Sequence, residues 1–351
     1  MSYSGKHQRG IAIVMAMLIV ALATSVAAFA AWQQNLWLRQ SESLNSQALA
    51  LAASRTAISL GREVLADDAK KNQVDHLGEA WATYELVTPA DGGGTVSGKL
   101  IEQQGLFNLN NVGAENSTDQ TLAQSWFESL LTSLNIPKPH ELAEALKDYI
   151  DEDPSGQFED LNYLGKTVPY RTADTPLRSV DELYRIEGFD ANIIKKLRPF
   201  VTAIPVVNTG PVAPGKKAFS ILMTPINVNT ANPEVLNAVF GQAGTDIVTQ
   251  RESKFFQDQA DFDTRIGPKL APVDPNNPLI HPWTFAGAPP PASPSPTGAP
   301  PASANIDTKS DYFVVFAASQ FGRTEFGVKA LIKREQQGVV PPTTIVWQQQ
   351  Q

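Results

Sequence analysis

The chain contains no cysteine, which excludes disulfide bridges and thiolate metal sites and says little about compartment. Histidine is nearly as scarce. His7, His76, His140 and His281 are scattered, and no Ser/His/Asp arrangement can be read from them. Lysine and arginine form no run. With a formal net charge of -8, the global field repels a nucleic-acid backbone. No enzyme signal and no nucleic-acid partner are expected. What is present is bulk: 351 residues, 42% hydrophobic, enough for a sizeable core and more than one compact unit. The 26 prolines and 23 glycines imply many turns and at least one unstructured stretch.

The most informative stretch is the first, "KHQRGIAIVMAML". From Ile11 to Trp32 there are 22 residues without a charge, and the next charged residue is Arg39. At about 1.5 Å per residue, a helix of this length spans a hydrocarbon core of roughly 30 Å. Lys6 and Arg9 place the leader on the cytoplasmic side, and Trp32 and Trp37 stand where interfacial aromatics belong. Three readings are open: a cleaved secretory signal ending near Ala27–Ala31, a plain transmembrane anchor, or a cut between Gly10 and Ile11. The apolar run is longer than the roughly 7–15 residues of a secretory signal. Downstream, "LWLRQSESLNSQALALAASRTAISLGREVLADD" has no proline and should continue as helix. Leu44, Leu51, Ile58 and Leu65 recur every seven residues as one apolar stripe, for packing on the chain's own body or in a coiled coil.

Further along, "WATYELV" and "TVSGKLIEQQ" read as strands joined by "TPADGGG". "QTLAQSWFESLLTSLNI" and "HELAEALKDYID" have helical spacing. "SVDELYRIEG" carries a capping box, Ser179 with Glu182, and "NTANPEVLNAVFG" starts a helix with Asn232 as cap and Pro233 at the first position. The Pro-rich "GAPPPASPSPTGAPPASAN" reads as a mobile loop. "DYFVVFAAS" and "TEFGVKALIKRE", with a turn at Gly322, read as an antiparallel hairpin.

"KDYIDEDPSGQFEDLNY" gathers six carboxylates against one lysine. Counted from Asp151, Asp153 falls at position three, Ser155 at five and Gly156 at six, as in the start of an EF-hand loop. Position twelve is Asn162 where a bidentate Glu is needed, so the EF-hand fails. A related calcium loop and a solvated acidic turn remain as readings. Hard oxygens without a nearby His favour calcium over zinc. "INVNTANPEVLNAVFG" looks like the opening of a helix-hairpin-helix module. It lacks a compact Gly-x-Gly turn, and on an acidic protein it reads as a packed helical pair.

The short basic leader, Gly10 and "IAIVMAMLIVALATSVAA" resemble the prepilin class of signals. With Met15 at the fifth mature position in place of the usual Glu, the chain resembles the protein K family of type II secretion minor pseudopilins. The resemblance covers nearly the whole chain apart from the Pro-rich loop and the tail. It implies an α+β fold: a pilin-like long N-terminal helix on a small antiparallel sheet, with a large inserted all-helical (SAM-like) domain. The expected division is a leader (1–10), a transmembrane part (11–32), the rest of the helix and first strands (33–112), the helical insert (113–266), the Pro-rich loop (267–305), closing strands (306–335) and a tail (336–351).

The resemblance also implies processing between Gly10 and Ile11 by prepilin peptidase, with methylation of the new amine. It implies a single-pass protein of the inner membrane with its bulk in the periplasm, capping the tip of the pseudopilus and helping to start its assembly. Other minor pseudopilins (I and J types) and the major pseudopilin are the implied partners, with the secretin and secreted substrates as looser ones. In the family the fifth-position Glu pairs with the amine of a neighbouring subunit, and a tip subunit lacks one such neighbour. A structural Ca2+ is implied on Asp151, Asp153, Glu159 and Asp160, with the ligand count left open by Leu161 and Asn162, where further acids often stand. The alternatives are a type IV pilus minor pilin and a membrane-tethered DNA-binding module.

Overall fold

The computed structural model describes residues 8–83, 85–152, 154–208, 220–270, 305–335 and 342–350. Asp153, most of the Pro-rich segment (271–304) and part of the expected tail (336–341 and 351) lie outside the described residues. Helix α1, Gln8–Lys71, runs unbroken for 64 residues. Its apolar first half is bare: Ile11, Met15 and Leu22 are each about 60% exposed. Only its far end packs, and it does so through Ala50, Ser54, Ala57, Ile58, Gly61 and Leu65, spaced three and four apart on one face. The expected stripe is therefore only half used: Ile58 and Leu65 are buried, Leu51 is half-buried and Leu44 is 59% exposed.

α1 leads through a short helix, α2 (Ala80–Thr83), to five strands: β1 (Glu85–Ala90), β2 (Gly94–Glu102), β3 (Tyr312–Phe321), β4 (Thr324–Arg334) and β5 (Thr343–Gln350). They form one sheet in chain order, and every neighbour is antiparallel. The hairpin is closed at Gly322, whose φ of +59° suits a residue without Cβ. Two expectations change. Trp81 belongs to α2, not to the first strand, because its indole is buried and donates to Glu79 Oε2 at 2.7 Å. Half of the segment expected to be a tail is strand β5, whose "TTIVW" start has the β-branched and aromatic character of a strand.

β3 reads as a nearly continuous apolar run because both its faces are covered. Phe313, Val315 and Ala317 face the α1 side with Leu65, Val96 and Ile332. Tyr312 and Val314 pack with Ile204 and Leu331 on the other.

The chain leaves the sheet at Glu102 and re-enters the neighbouring strand at Tyr312. In between lie α3 (Ser117–Ser133), α4 (Pro139–Ile150), α5 (Asp160–Leu164), α6 (Ala191–Leu197), α7 (Pro233–Phe240), α8 (Ala243–Ser253) and α9 (Gln259–Ile266), around the largest apolar core of the molecule. The Ser179–Glu182 capping box forms, on a 3-10 turn. Asn232 stands at the cap of α7 without capping it. Its amide donates instead to the Pro199 carbonyl at 2.9 Å.

The closeness of α1 to β3 depends on Gly61, where a Cβ would lie 3.0 Å from Val315 Cγ2. Gly61→Leu should destabilise the fold by about 1–3 kcal/mol through overpacking. In thermal unfolding of the detergent-solubilised chain this appears as a lowered Tm, while the exposed change Thr56→Ala on the same helix leaves it nearly unchanged.

Candidate functional site

The acidic loop begins in the last turn of α4. Asp151, at the helix C-cap, lies four residues after Lys147 and three after Asp148, so the helix end brings it to both. Lys147 Nζ lies 2.8 Å from Asp151 Oδ2 and 3.5 Å from Asp148 Oδ1. Burial alone would lower the ammonium's pKa, but the two carboxylates hold it above its ordinary value. Asp148 is buried, and its Oδ2 accepts the Phe158 N–H at 2.9 Å. That contact needs glycine at 156, because a Cβ there would meet Asp148 Oδ2 at 2.2 Å. Phe158 in turn is anchored in the helical core.

Glu159 then stands at the start of α5. Among the described residues its Oε1 is buried with no hydrogen-bond partner. Burial first, then repulsion from Asp148, Asp151 and Asp174, pushes its carboxyl up to about 7. The structure thus brings Asp151 and Glu159 into one electrostatic group and adds Asp148 and Asp174 to it. Asp160, also expected as a ligand, is engaged at both oxygens. Oδ1 accepts from Thr172 N and Oγ1, each at 3.0 Å, and Oδ2 pairs with Arg171. Although burial pushes its carboxyl up, those partners hold it below the ordinary value. Asp153 lies outside the described residues. Asp148 was legible as a helix-face neighbour of Asp151. Asp174, which meets α4 through its N–H to the Tyr149 carbonyl at 3.1 Å, had no local signal.

Behind the loop, Tyr149, Tyr163 and Tyr170 pack in sequence, the first pair edge-on and the second tilted, with ring centroids 5.8 and 5.1 Å apart. Tyr163 is fully buried and its oxygen accepts the Glu187 N–H, so these rings form the wall rather than the site. Among the described residues, a group of three carboxylates whose oxygens come within 4.8 Å of one another lies elsewhere, at Asp68, Asp75 and Glu79. Sequence reasoning missed that group, because its members sit on a helix end, a loop and a second helix entry.

An acid with a folded pKa above its unfolded value of 4.5 binds its proton more tightly in the folded state. With divalent ions chelated, the chain should therefore lose stability as pH rises from about 4.5 to about 7. Glu159→Gln should flatten that part of the profile, read from thermal melts across this range.

At the N-terminus, Gly10 and Ile11 both lie within α1, and the helix is long and apolar enough to cross a membrane. The apolar part contains no carboxylate, and Met15 is exposed on its surface.

Comparison with known proteins agrees along the chain. Residues 105–206, which include the acidic loop, and residues 226–278 match two family models, both described as type II secretion system protein K. The type II secretion system protein K of Pseudomonas aeruginosa is 31% identical over 287 residues, 76% of this chain and 80% of that one. That of Aeromonas hydrophila is 28% identical over 239 residues, 63% and 72% of the two chains. Among solved structures, the GspK-GspI-GspJ complex from enterotoxigenic Escherichia coli matches with a TM-score of 0.67 and 25% identity, over 89% of this chain and 99% of that one. A helix bare at one end and packed on a five-stranded sheet at the other, an inserted helical domain and these matches place the chain in the type II secretion system protein K family.

Proposed function

We propose that this chain is a minor pseudopilin that caps the tip of the periplasmic pseudopilus and helps to initiate its assembly. The observation that carries the reading is α1, bare and apolar over its first half and packed on a pilin-like sheet over its second. A helix of that kind is held in the bilayer before assembly and buried among neighbouring helices after it. The insert between β2 and β3 adds a body much larger than the sheet, and this bulk hinders the stacking of a further subunit above it. Met15 fits the same position. A carboxylate in the bilayer is costly unless paired, and a subunit at the end of a filament lacks one pairing neighbour.

The partners proposed are the I- and J-type minor pseudopilins, consistent with the GspK-GspI-GspJ complex solved for the E. coli relative, together with the major pseudopilin. The role is structural rather than catalytic. The chain would lie in the inner membrane with its bulk in the periplasm, after prepilin peptidase cuts between Gly10 and Ile11 and the new amine is methylated. Intact mass and N-terminal sequence of the protein from its native membrane test this. A methylated chain starting at Ile11 is expected, whereas a start at Met1 or near Ala28–Ala31 overturns the reading.

The acidic loop fits a structural Ca2+. It offers hard oxygens from Asp151 and Glu159, with Asp148, Asp160 and Asp174 beside them, and among the described residues Glu159 Oε1 is a buried acceptor lacking a donor. Lys147 opposes these charges. Bound there, the ion would supply the positive charge that ties the end of α4 to the start of α5. Adding Ca2+ to the chelated protein should raise its Tm, and Asp151→Asn with Glu159→Gln should remove most of that rise.

A further inference from the structure

At the neck between sheet and insert, three passages of chain meet around one side chain. Glu102 is the last residue of β2, where the chain leaves for the insert. Ser310 stands just ahead of β3, on the way back, and Thr230 lies in the insert, two residues before the cap of α7. Glu102 is 7% exposed and Ser310 is fully buried.

The Glu102 carboxylate accepts main-chain N–H groups from Gln104 and Gly105, the latter at 2.8 Å on Oε2. It also accepts hydroxyl hydrogens from Ser310 and Thr230. A Cβ on Gly105 would lie 2.7 Å from Thr230 Oγ1 and 2.9 Å from Glu102 Oε2, so hydroxyl and carboxylate converge on one point. These four partners are all neutral. The charged groups around the neck are engaged with others. Arg334 of β4 pairs with Asp75 and Asp68, and Lys333 pairs with Glu335. In the returning segment Asp307 accepts the Thr308 and Lys309 N–H groups, and Asp311 faces Lys309 and Arg334. The Tyr312 phenol beside them stays neutral, since burial pushes it up to about 12. Burial likewise pushes the Glu102 carboxyl up to about 7, against the pull of its four hydrogen bonds.

The hydroxyl hydrogens have defined choices. Asn227 Nδ2 donates to Ser310 Oγ at 2.8 Å, which leaves the Ser310 hydrogen for Glu102. Thr230 carries one hydrogen and has two acceptors, Glu102 and the Asn227 carbonyl at 3.4 Å. Beside a charged Glu102 it donates to the carboxylate. Beside a protonated one it accepts the acid proton and turns its own hydrogen to Asn227.

We propose that Glu102 is a protonation switch in the neck, with the Thr230 hydroxyl as its moving part. Protonated, it completes a neutral chain from Glu102 through Thr230 to the Asn227 carbonyl, and the neck is closed. Deprotonated, it has given its proton to solvent and leaves a lone anion between sheet and insert, which favours opening to water. The hold of the sheet on the insert thus becomes a function of pH. In the opened neck the carboxyl regains its ordinary value of 4.5, so opening should grow about tenfold between roughly pH 6 and 8.

Hydrogen exchange read by mass spectrometry on the full-length chain in detergent tests this. A Glu159→Gln background removes the titration of the α4 loop, and rates are corrected for the intrinsic pH dependence of exchange. Protection in peptides covering 103–107 and 226–231 should fall about tenfold across that range. Glu102→Gln, checked for fold by circular dichroism, should make the profile flat. Thr230→Val keeps the carboxyl and should move the midpoint up, because a donor to the charged form is worth more than an acceptor for the neutral one. Constant protection, a fall that survives Glu102→Gln, or a midpoint indifferent to Thr230→Val overturns the proposal. If Glu102→Gln does not fold, the Thr230→Val midpoint decides.

Discussion

The ion pair between Arg334 and Asp75 is where the three parts of the molecule meet. Arg334 sits on β4, 2% exposed, and reaches Asp68 on α1, Asp75 in the following loop and the Ser310 carbonyl ahead of β3. Its guanidinium lies 5.1 Å from the centroid of the Phe313 ring, which closes the site from the core side. The main chain of Asp75 extends the same junction. Its N–H donates to the Thr308 carbonyl at 2.9 Å, and its carbonyl accepts the Asn227 amide at 3.2 Å. A buried pair of this kind adds little net stability, but removing one partner strands a charge in a dry interior. Its effect here is to specify a single arrangement of helix, sheet and insert.

The insert is tied to that junction by buried asparagines. Phe107–Asn108 pairs in parallel with Val201–Thr202, and Ile226–Asn227 pairs in parallel with Ile306–Asp307. Each short bridge opens a helical unit, and each carries an asparagine that bonds across the chain. Asn108 accepts the Ile204 N–H at 2.9 Å, Asn110 accepts that of Leu177 at 2.7 Å, and Asn229 accepts that of Phe256 at 2.8 Å. An amide can donate and accept at once, so a buried asparagine satisfies two main-chain groups that no helix or sheet ladder reaches. The helical body therefore owes its rigidity to these clamps as well as to its apolar core. A firm body between β2 and β3 is what the proposed end position in a filament requires.

The candidate site was partly legible. Asp151 and Glu159 stand out in the sequence as members of an acidic run, and Gly156 as the glycine of a sharp turn. Its demonstrable reason for being glycine is a different one, the close approach of Asp148 to its backbone. Asp160 stood out equally, yet it bonds Thr172 and Arg171, twelve and eleven residues away, and no count along the chain could tell it from its neighbour Glu159. Asp174 and the Asp68–Asp75–Glu79 group were invisible, because their proximity is made by loops whose paths depend on what they pack against.

By itself the sequence determined the apolar first half of α1, the helical periods of α3 and α4, the β3–β4 hairpin and the presence of an insert. These follow from length, hydrophobic spacing and turn residues acting over a few neighbours. It also carried the resemblance to the protein K family, which the matches along the chain show. Tertiary structure alone decided that only Ile58 and Leu65 of the heptad stripe would be covered, since the sheet meets just the far end of α1. It decided that Trp81 would turn in a helix and that residues 343–350 would close the sheet as β5. It also decided which carboxylates would face one another, because burial and charge act between residues far apart in the chain.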